Sequence, residues 1–373
     1  MRHSRVAIVA CTQTELRPAW SGAQHIDLIS AVATQVFKGS GLTHDDVDFI
    51  IDSGSDVLDG RSISNCGFLG AMGAHHKEES RIEEDGLWAA VYGATKIAAG
   101  GADVGLIIAY SKPSETDVNI FYSSQCEPFY QRPVGFDHRA ATGIQAQRYL
   151  AQHACTAADL ARIVTKRWTD CAAFGKVQID KVPSVAEVTG SADVAKPLKQ
   201  LMMARPVDGA VAVLLASEEV ARRVSRRPVW ITGMGMSADR HAFATRKAGT
   251  LEACEAAASQ AYRRAGWRKP APAVAEVSAS SAVTELMVLE SMGLAVAGQG
   301  LELLRDDAAV TVNRSGGALP ADVIMATGLV RLAEAAQQLS TPEPYRLKAP
   351  GSAVVHGAGG VGMQTHCVVT LEV

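Results

Sequence analysis

Three consecutive acids stand directly before an apolar helix in the segment "SRIEEDGLWAAVYGATKIAAGG". The helix predicted from Gly86 to Gly100 is apolar on almost every face, which is typical of a helix buried on all sides. Glu83, Glu84 and Asp85 would then lie at a buried helix N-terminus, where carboxylates are costly unless they are paired, hydrogen-bonded or protonated. Two interpretations stay open: Asp85 caps the free backbone N–H groups of the helix, or one of the acids is a general acid or base whose pKa is raised by burial.

Other residue types that could do chemistry are isolated in the sequence. His138, in "GFDHRAATGIQAQRYL", is either an acid–base residue or a surface histidine beside Asp137 and Arg139. His356 precedes a glycine-rich turn and could reach the floor of a pocket or satisfy the backbone of that turn. Cys66, in "SNCGFLG", looks like a nucleophile loop but precedes a different helix, and most lone cysteines are small buried hydrophobes. The "GAGGVG" stretch precedes a strand rather than a helix, which excludes a dinucleotide loop.

Composition excludes several classes of protein. The 373 residues carry a net charge of −3, with 47% hydrophobic and 20% charged residues, as in an ordinary soluble globular protein. No basic block indicates nucleic acid or a membrane surface, and no apolar run is long enough for a signal peptide or a membrane span. The seven cysteines are scattered and form no CxxC pair, so we expect a reduced cytoplasmic protein without a metal site.

The elements that must position these residues occur twice. The first occurrence is a strand, an amphipathic helix and a strand, with the sequences "RVAIVACTQT", "HIDLISAVATQVFKGSG" and "VDFIIDSGSD". The same order recurs later with the sequences "RPVWITGMGM", "LEACEAAASQAYRRAGW" and "AVAEVSASS". Alternating strands and helices predict largely parallel sheets covered by helices, here a duplicated α/β domain. We expect residues 1–110 and 200–225 to form the N-terminal half, 111–199 a loop or lid insertion, and 226–373 the C-terminal half.

These segments resemble the thiolase superfamily, specifically its sterol-carrier-protein-x type and lipid-transfer-protein branch. The resemblance rests on "PVDGAVAVLLASEE", "ELMVLESMGL", "NRSGGALPADVIMATG" and "VVHGAGGVGMQTHCVVTLEV", which occur in the family's order along the chain. It implies a five-layer α-β-α-β-α fold in which two buried helices, one from each half, lie back to back. The helix from Gly86 would be the first of them. The resemblance also places the strand "DVGLIIAY" near the sheet edge where thiolases pair as dimers.

The resemblance further implies that the acyl-transfer residues of the family are missing. The family's nucleophilic cysteine precedes the first buried helix, and its slot falls here on Glu83. The histidine of the family's G-H-P element falls near Asp322, and the N-E-A-F or H-D-C-F element reads "SASS" from Ser278. The tyrosines of the lipid-transfer aldolases are also absent, with Ser278 and Val323 in those slots. The candidate acid–base residues are thus Glu83, Glu84, Asp85, His138, Asp322 and His356, and the candidate substrate-binding residues are Ser278, Ser280, Ser281, Asn313, Gly316, Gly317 and Gly357.

The function expected first is that of a non-catalytic or accessory subunit which holds an acyl-CoA. The alternatives are a re-purposed C–C bond enzyme (retro-aldol, retro-Claisen or hydrolytic) that acts on a CoA ester, and a lipid or sterol carrier. The expected ligand is a coenzyme A thioester, with no covalently bound cofactor. The expected assembly is a homodimer, or a heteromer with a catalytic thiolase paralogue or an OB-fold/zinc-ribbon protein.

Overall fold

The computed structural model describes residues 5–305, 308–341, 343, 347 and 351–373. Their strands are β1 Val6–Gln13, β2 Phe49–Ser53, β3 Glu78–Ile82, β4 Val104–Ser111, β5 Asp193–Ala195, β6 Leu198–Lys199, β7 Gly209–Ser217, β8 Val229–Ala238, β9 Val274–Val277, β10 Thr311–Val312, β11 Ser352–Gly359 and β12 Thr365–Glu372. Their helices are α1 His25–Gln35, α2 Asp56–Asp59, α3 Leu69–Met72, α4 Gly86–Ala98, α5 Val118–Ser124, α6 His138–Gln152, α7 Ala157–Ala172, α8 Val185–Gly190, α9 Glu218–Val224, α10 Glu252–Ala265, α11 Ala282–Ser291 and α12 Thr327–Ser340.

The strands confirm the duplication. The described residues form a ten-stranded sheet of order β10-β9-β11-β12-β8-β1-β7-β4-β2-β3, in which β1 and β8 meet antiparallel at the centre. Moving outward from the centre, the order β1-β7-β4-β2-β3 matches β8-β12-β11-β9-β10 strand for strand. The directions agree as well: β1–β7 and β8–β12 are antiparallel, whereas β2–β4 and β9–β11 are parallel. The two halves are therefore copies of one αβ unit.

The apolar side chains form the layers expected from the sequence. A central cluster joins α4 and α12 to strands of both halves through residues such as Leu87, Leu329, Val213 and Val369. A second cluster packs α1 on the outer face of the N-terminal half of the sheet, and a third packs α10 and α11 on the outer face of the C-terminal half. The fold is thus α-β-α-β-α.

The two central helices approach each other closely at the start of α4. A Cβ atom built on Gly86 would lie 2.7 Å from the Cβ atoms of both Ala109 and Leu329, so this position admits only glycine. Eight of the thirteen residues of α4 are buried, which explains why most of its surface is apolar. The expected burial on all sides is incomplete, because Tyr92 and Thr95 are exposed. The N-terminal ends of α4 and α12 consequently lie at one place.

The expectation for the sheet edge is wrong. The strand "DVGLIIAY" is β4, which lies between β2 and β7 with all eight residues buried. The edge strand of the N-terminal half is β3, the polar segment Glu78–Ile82. Its charged residues are typical of an exposed edge strand, and they are the reason that the sequence pattern did not predict a strand here.

The segment between β4 and β7 forms helices α5 to α8 and the small hairpin of β5 and β6. Helix α7 packs against α11 in the third apolar cluster, through residues that include Leu160 and Val164. Helix α5 instead packs Phe121 against Leu58 and Ile324, beside the N-terminal end of α12. Among the helices that the structure describes, none is both long and apolar enough to cross a membrane.

Candidate active site

A cavity of about 500 Å³ opens at the N-terminal ends of α4 and α12. Loops that follow β2, β9 and β11 form its walls, and the segment from α5 to α6 covers it. The structure brings seven of the candidate residues to its lining: Glu83, Glu84, Asp85, His138, Ser278, Ser280 and Asp322.

Asp85 joins the two central helices. Its Oδ1 accepts a hydrogen bond from the backbone N–H of Leu87 (2.9 Å), so Asp85 is the N-cap of α4. Its Oδ2 accepts from the backbone N–H of Gly328 (2.8 Å) in the first turn of α12. Burial raises the pKa of Asp85 to about 7, and these two backbone donors oppose that rise. The side chain therefore combines a capping role with a carboxyl that titrates near neutral pH.

The other two acids of the trio point to different surroundings. Glu84 is half-buried, accepts a hydrogen bond from Thr365 Oγ1 (3.0 Å), and has a pKa raised by burial. Glu83 is exposed, accepts from the backbone N–H of Asp56 (2.8 Å) and pairs with Arg81 (3.2 Å) on β3. The acidic trio thus spans the cavity from its rim to its buried end.

Asp322 is a second carboxyl inside the cavity. Backbone hydrogen bonds with Arg205 and Val207 fix the segment that carries it, and Thr327 Oγ1 donates to its Oδ1 (2.7 Å). Burial raises the pKa of Asp322 to about 6, against the lowering effects of Thr327 and Arg331. At neutral pH this carboxyl is largely ionised and can accept a proton from a ligand.

His138 and Tyr122 face the carboxyls from the covering segment. Asp137 caps α6 by accepting from Ala140 N–H (2.8 Å), which places His138 on the first turn. Burial lowers the pKa of His138 to about 4, so its ring is neutral. The rings of His138 and Tyr122 stack with centroids 4.1 Å apart. Burial, together with the charge of Asp322, raises the pKa of Tyr122, so its phenol stays protonated.

Sequence reasoning missed Tyr122. Its only signal was the aromatic stretch "FYSSQ" within the insertion, because no motif places a tyrosine of α5 opposite a residue near α12. Polar atoms without a hydrogen-bond partner also line the cavity: Ser278 Oγ, His138 Nδ1 and Gln125 Oε1. Buried polar atoms normally have partners, so these three can bind a polar ligand.

The structure places the remaining candidates outside the cavity lining. Ser281 caps α11 through the N–H of Thr284, and Asn313 bonds the N–H of Val277 (2.7 Å) and the carboxylate of Glu285 (2.9 Å). The strand turn after Asn313 explains the neighbouring glycines, whose φ angles are positive: Gly316 and Gly317.

Two candidates on β11 lie on opposite faces of that strand. Gly357 faces α4, where a Cβ atom would lie 3.1 Å from Asp85 Oδ1, so the glycine makes room for the carboxyl. His356 points to the other face, is fully buried and contacts His366. Cys66 is exposed in a short turn, and among the described residues no cysteine lines the cavity.

Comparisons with known proteins agree with this architecture. Residues 235–372 match the thiolase C-terminal domain-like family. The solved structure titled "Ltp2-ChsH2(DUF35) aldolase" superposes with a TM-score of 0.81 at 19% identity, and covers 100% of this chain and 98% of that chain. The fold of the described residues is thiolase-like. A monomeric SCP2-thiolase-like protein type 1 from Mycobacterium smegmatis gives a TM-score of 0.74 at 18% identity, with 100% of this chain and 77% of that chain covered.

Sequence relatives of this thiolase-like protein carry related names. It is 28% identical to the benzoylsuccinyl-CoA thiolase subunit BbsB of Thauera aromatica over 58% of this chain, and the match spans 59% of that subunit. It is 23% identical to an acetyl-CoA acetyltransferase of Methanocaldococcus jannaschii over 98% of both chains.

Proposed function

We propose that this thiolase-like protein binds a coenzyme A thioester in the cavity and cleaves a carbon–carbon bond of it by acid–base chemistry. The observation that carries the proposal is an open cavity of about 500 Å³ at the mouth of α4 that is lined by titratable oxygen and nitrogen groups and by no cysteine of the described residues. Without a thiol, the cavity lacks the most nucleophilic of the side chains that carry acyl groups.

A retro-aldol cleavage of a β-hydroxyacyl thioester needs only the groups that line the cavity. A base removes the proton of the β-hydroxyl, the carbonyl of an aldehyde or ketone forms, and the Cα–Cβ bond breaks. The electron pair of that bond passes to the thioester as an enolate, which takes up a proton at Cα. The proton taken from the hydroxyl balances the proton returned, so no other reactant is consumed.

The environments of the side chains suggest their roles. Asp322, with a pKa of about 6, is the base because it is ionised at neutral pH and close enough to Tyr122 to raise its pKa. Tyr122 and Ser278 Oγ are the hydrogen-bond donors for the enolate oxygen, since both keep their protons and Ser278 Oγ has no partner. His138 orients the phenol by stacking.

The sequence alone favoured an accessory subunit over a C–C bond enzyme, and the open cavity reverses that order. One observation still favours the accessory function: both oxygens of Asp85 accept backbone N–H groups, as expected of a purely structural cap. A pocket that had lost all chemistry would have no reason to retain a second carboxyl, a neutral histidine and a half-buried phenol. We therefore place the accessory function second.

The experiment is turnover of β-hydroxyacyl-CoA thioesters of short, aromatic and steroid acids by the purified chain, with products identified by mass spectrometry. We expect a carbonyl compound and a shortened acyl-CoA in equal amounts, with no requirement for free CoA. Asp322→Asn should lower kcat by about 10²-fold or more, whereas the exposed Asp45→Asn should match the wild type. Tight binding without cleavage across the panel would support the accessory function, and thiolysis by free CoA would contradict both functions.

The edge strand β3 is the proposed contact with a second chain. Its partner would be a second copy, a catalytic thiolase paralogue or an OB-fold/zinc-ribbon protein, and one structural relative is itself titled as a two-component aldolase. An open edge offers unpaired backbone groups that another strand can satisfy. A light-scattering mass of one chain at micromolar concentration, alone and with the candidate partner, would contradict this assembly.

A further inference from the structure

Three side chains with metal-binding atoms meet behind the cavity. Cys254 lies on α10, His356 on β11 and His366 on β12, and a donor atom of each lies within 4.8 Å of those of the other two. All three residues are completely inaccessible to solvent. They come from three separate elements, so their convergence is a product of the fold.

The two histidines are unusual for a buried pair. His356 Nε2 and His366 Nδ1 lie 2.9 Å apart, and the outer nitrogens, His356 Nδ1 and His366 Nε2, have no partner with hydrogen-bonding geometry. A neutral imidazole has one N–H and one lone pair. One N–H and one lone pair of this pair are therefore left unsatisfied.

A cation between the two rings would satisfy the lone pairs of both inner nitrogens. The backbone of Ser278 lies beside the His356 ring, and the backbone of Met363 lies beside the His366 ring. If the two outer nitrogens carry the protons, their N–H groups can donate hydrogen bonds to these backbone groups. Two lone pairs then face each other across 2.9 Å, together with the Cys254 sulfur, and that arrangement needs a positive charge between them.

The surroundings of the three side chains exclude a highly charged ion. Cys254 belongs to an apolar cluster with Ala257, Val277, Val354 and Val368. A thiolate and two neutral imidazoles sum to one negative charge, so a monovalent ion makes the site neutral. A divalent ion would leave a net positive charge in an apolar interior, which is costly. Thiolate and imidazole ligands also suit copper(I) among the first-row metals.

We propose that Cys254, His356 and His366 bind one copper(I) ion. Binding releases the thiol proton of Cys254 to solvent, and the lone pairs of the two inner ring nitrogens replace the hydrogen bond between the rings. For metal–nitrogen bonds of about 2.0 Å the two nitrogens must separate to roughly 3.5 Å, a shift of about half an ångström that a ring rotation supplies.

The ion would connect the cavity wall to an outer helix. The backbone N–H of Ser278 donates to the carbonyl of His356 (3.1 Å), and Met363, near His366, lines the cavity. A metal at this point fixes the β11–β12 hairpin, which carries the glycine turn of the site, against α10. This structural role does not depend on the proposed C–C bond chemistry.

The test is a titration of the full chain with copper(I) under anaerobic reducing conditions, in competition with a chelator. Because the site is buried, the titration is done on protein expressed without added copper and on protein expressed with it. We expect one equivalent of copper(I) per chain, a raised melting temperature and an X-ray absorption spectrum with one sulfur and two nitrogen neighbours. Cys254→Ser and His366→Gln should each weaken binding by at least about tenfold. Cys66→Ser, which removes an exposed thiol, should bind as the wild type does.

Three outcomes would overturn the proposal. One is the absence of stoichiometric copper(I) in protein prepared by either route. Another is an unchanged affinity for copper(I) in a Cys254→Ser or His366→Gln variant that is folded. Circular dichroism shows whether each variant is folded, and if one is misfolded, the other decides the test. The third is tighter binding of zinc(II) than of copper(I), which would contradict the charge argument.

Discussion

Replacing Asp85 with asparagine separates its capping role from its titration. Asparagine keeps the shape of the side chain but can accept only one of the two hydrogen bonds from Leu87 and Gly328. More usefully, it cannot ionise. The free energy of unfolding of the wild type should therefore vary with pH in a way that Asp85→Asn does not reproduce.

The sign and size of this effect follow from the pKa of Asp85. Folding raises that pKa from 3.8 to about 7, so the folded state holds the proton more tightly than the unfolded state does. Stability is then greatest at low pH and falls as the pH rises through the folded pKa. The full effect is roughly 4 kcal/mol, and more than half of it lies between about pH 5 and pH 8.

The assay is chemical denaturation of both proteins at several pH values in this range. The difference in unfolding free energy between the wild type and Asp85→Asn cancels most contributions of the other groups. We expect that difference to shift by roughly 2–3 kcal/mol against the wild type as the pH rises. The exposed Asp103→Asn variant should show no such change. A flat difference would mean that Asp85 is ionised throughout, and would refute its assignment as a group that titrates near neutral pH.

The remaining predictions concern one residue each. Tyr122→Phe removes the proposed hydrogen-bond donor to the enolate, so kcat of the proposed cleavage should fall about 10²-fold with little change in KM. The exposed Tyr130→Phe should change neither. Gly328→Ala would put a Cβ atom 2.0 Å from Asp85 Oδ1, so the free energy of unfolding should fall by about 1–3 kcal/mol. The control is Gly70→Ala, whose Cβ atom would meet open space. Equal stabilities of the two variants would contradict the close packing at Gly328. Cys66→Ser should retain full activity and full binding of CoA thioesters, since that cysteine is exposed and outside the cavity; loss of turnover would reinstate a thiol mechanism.

The duplication and the position of the acidic trio could be predicted from the sequence because both depend on local patterns. Each half repeats a buried strand, an amphipathic helix and a buried strand, and the structure pairs these elements identically in the two halves. A helix that is apolar over most of its surface packs in the interior, so the acids before Gly86 were expected at its buried N-terminal end. Asp85 as a helix cap was one of the two interpretations left open, and the structure adds that it serves a second helix as well.

The side of β11 that faces the cavity was harder to predict. Successive residues of a strand point to opposite faces, so an error of one position exchanges the two faces. Val355 joins the central cluster, Val354 joins the outer one, and His356 follows Val354 to the outer face. The glycine-rich turn after His356 indicates that a pocket is near but not which face of β11 lines it. Of the two candidates on this strand, Gly357 faces α4 and His356 does not.

Contacts across the covering segment could not be predicted at all. Tyr122 meets Asp322 and His138 only because α5 folds over the end of α12, and no periodic pattern links residues from these three parts of the chain. The edge strand β3 was not predicted for a different reason. Strands are recognised in a sequence by alternating apolar residues, and an exposed edge strand carries charged residues instead.

The central claim is that acids occupy the mouth of α4 and that no acyl group is carried on the protein. It is tested most directly by the intact mass of the chain during incubation with acetyl-CoA or acetoacetyl-CoA, followed by addition of free CoA. We predict an unmodified mass throughout and no thiolysis of acetoacetyl-CoA. A mass increase of one acyl group that free CoA removes would contradict it.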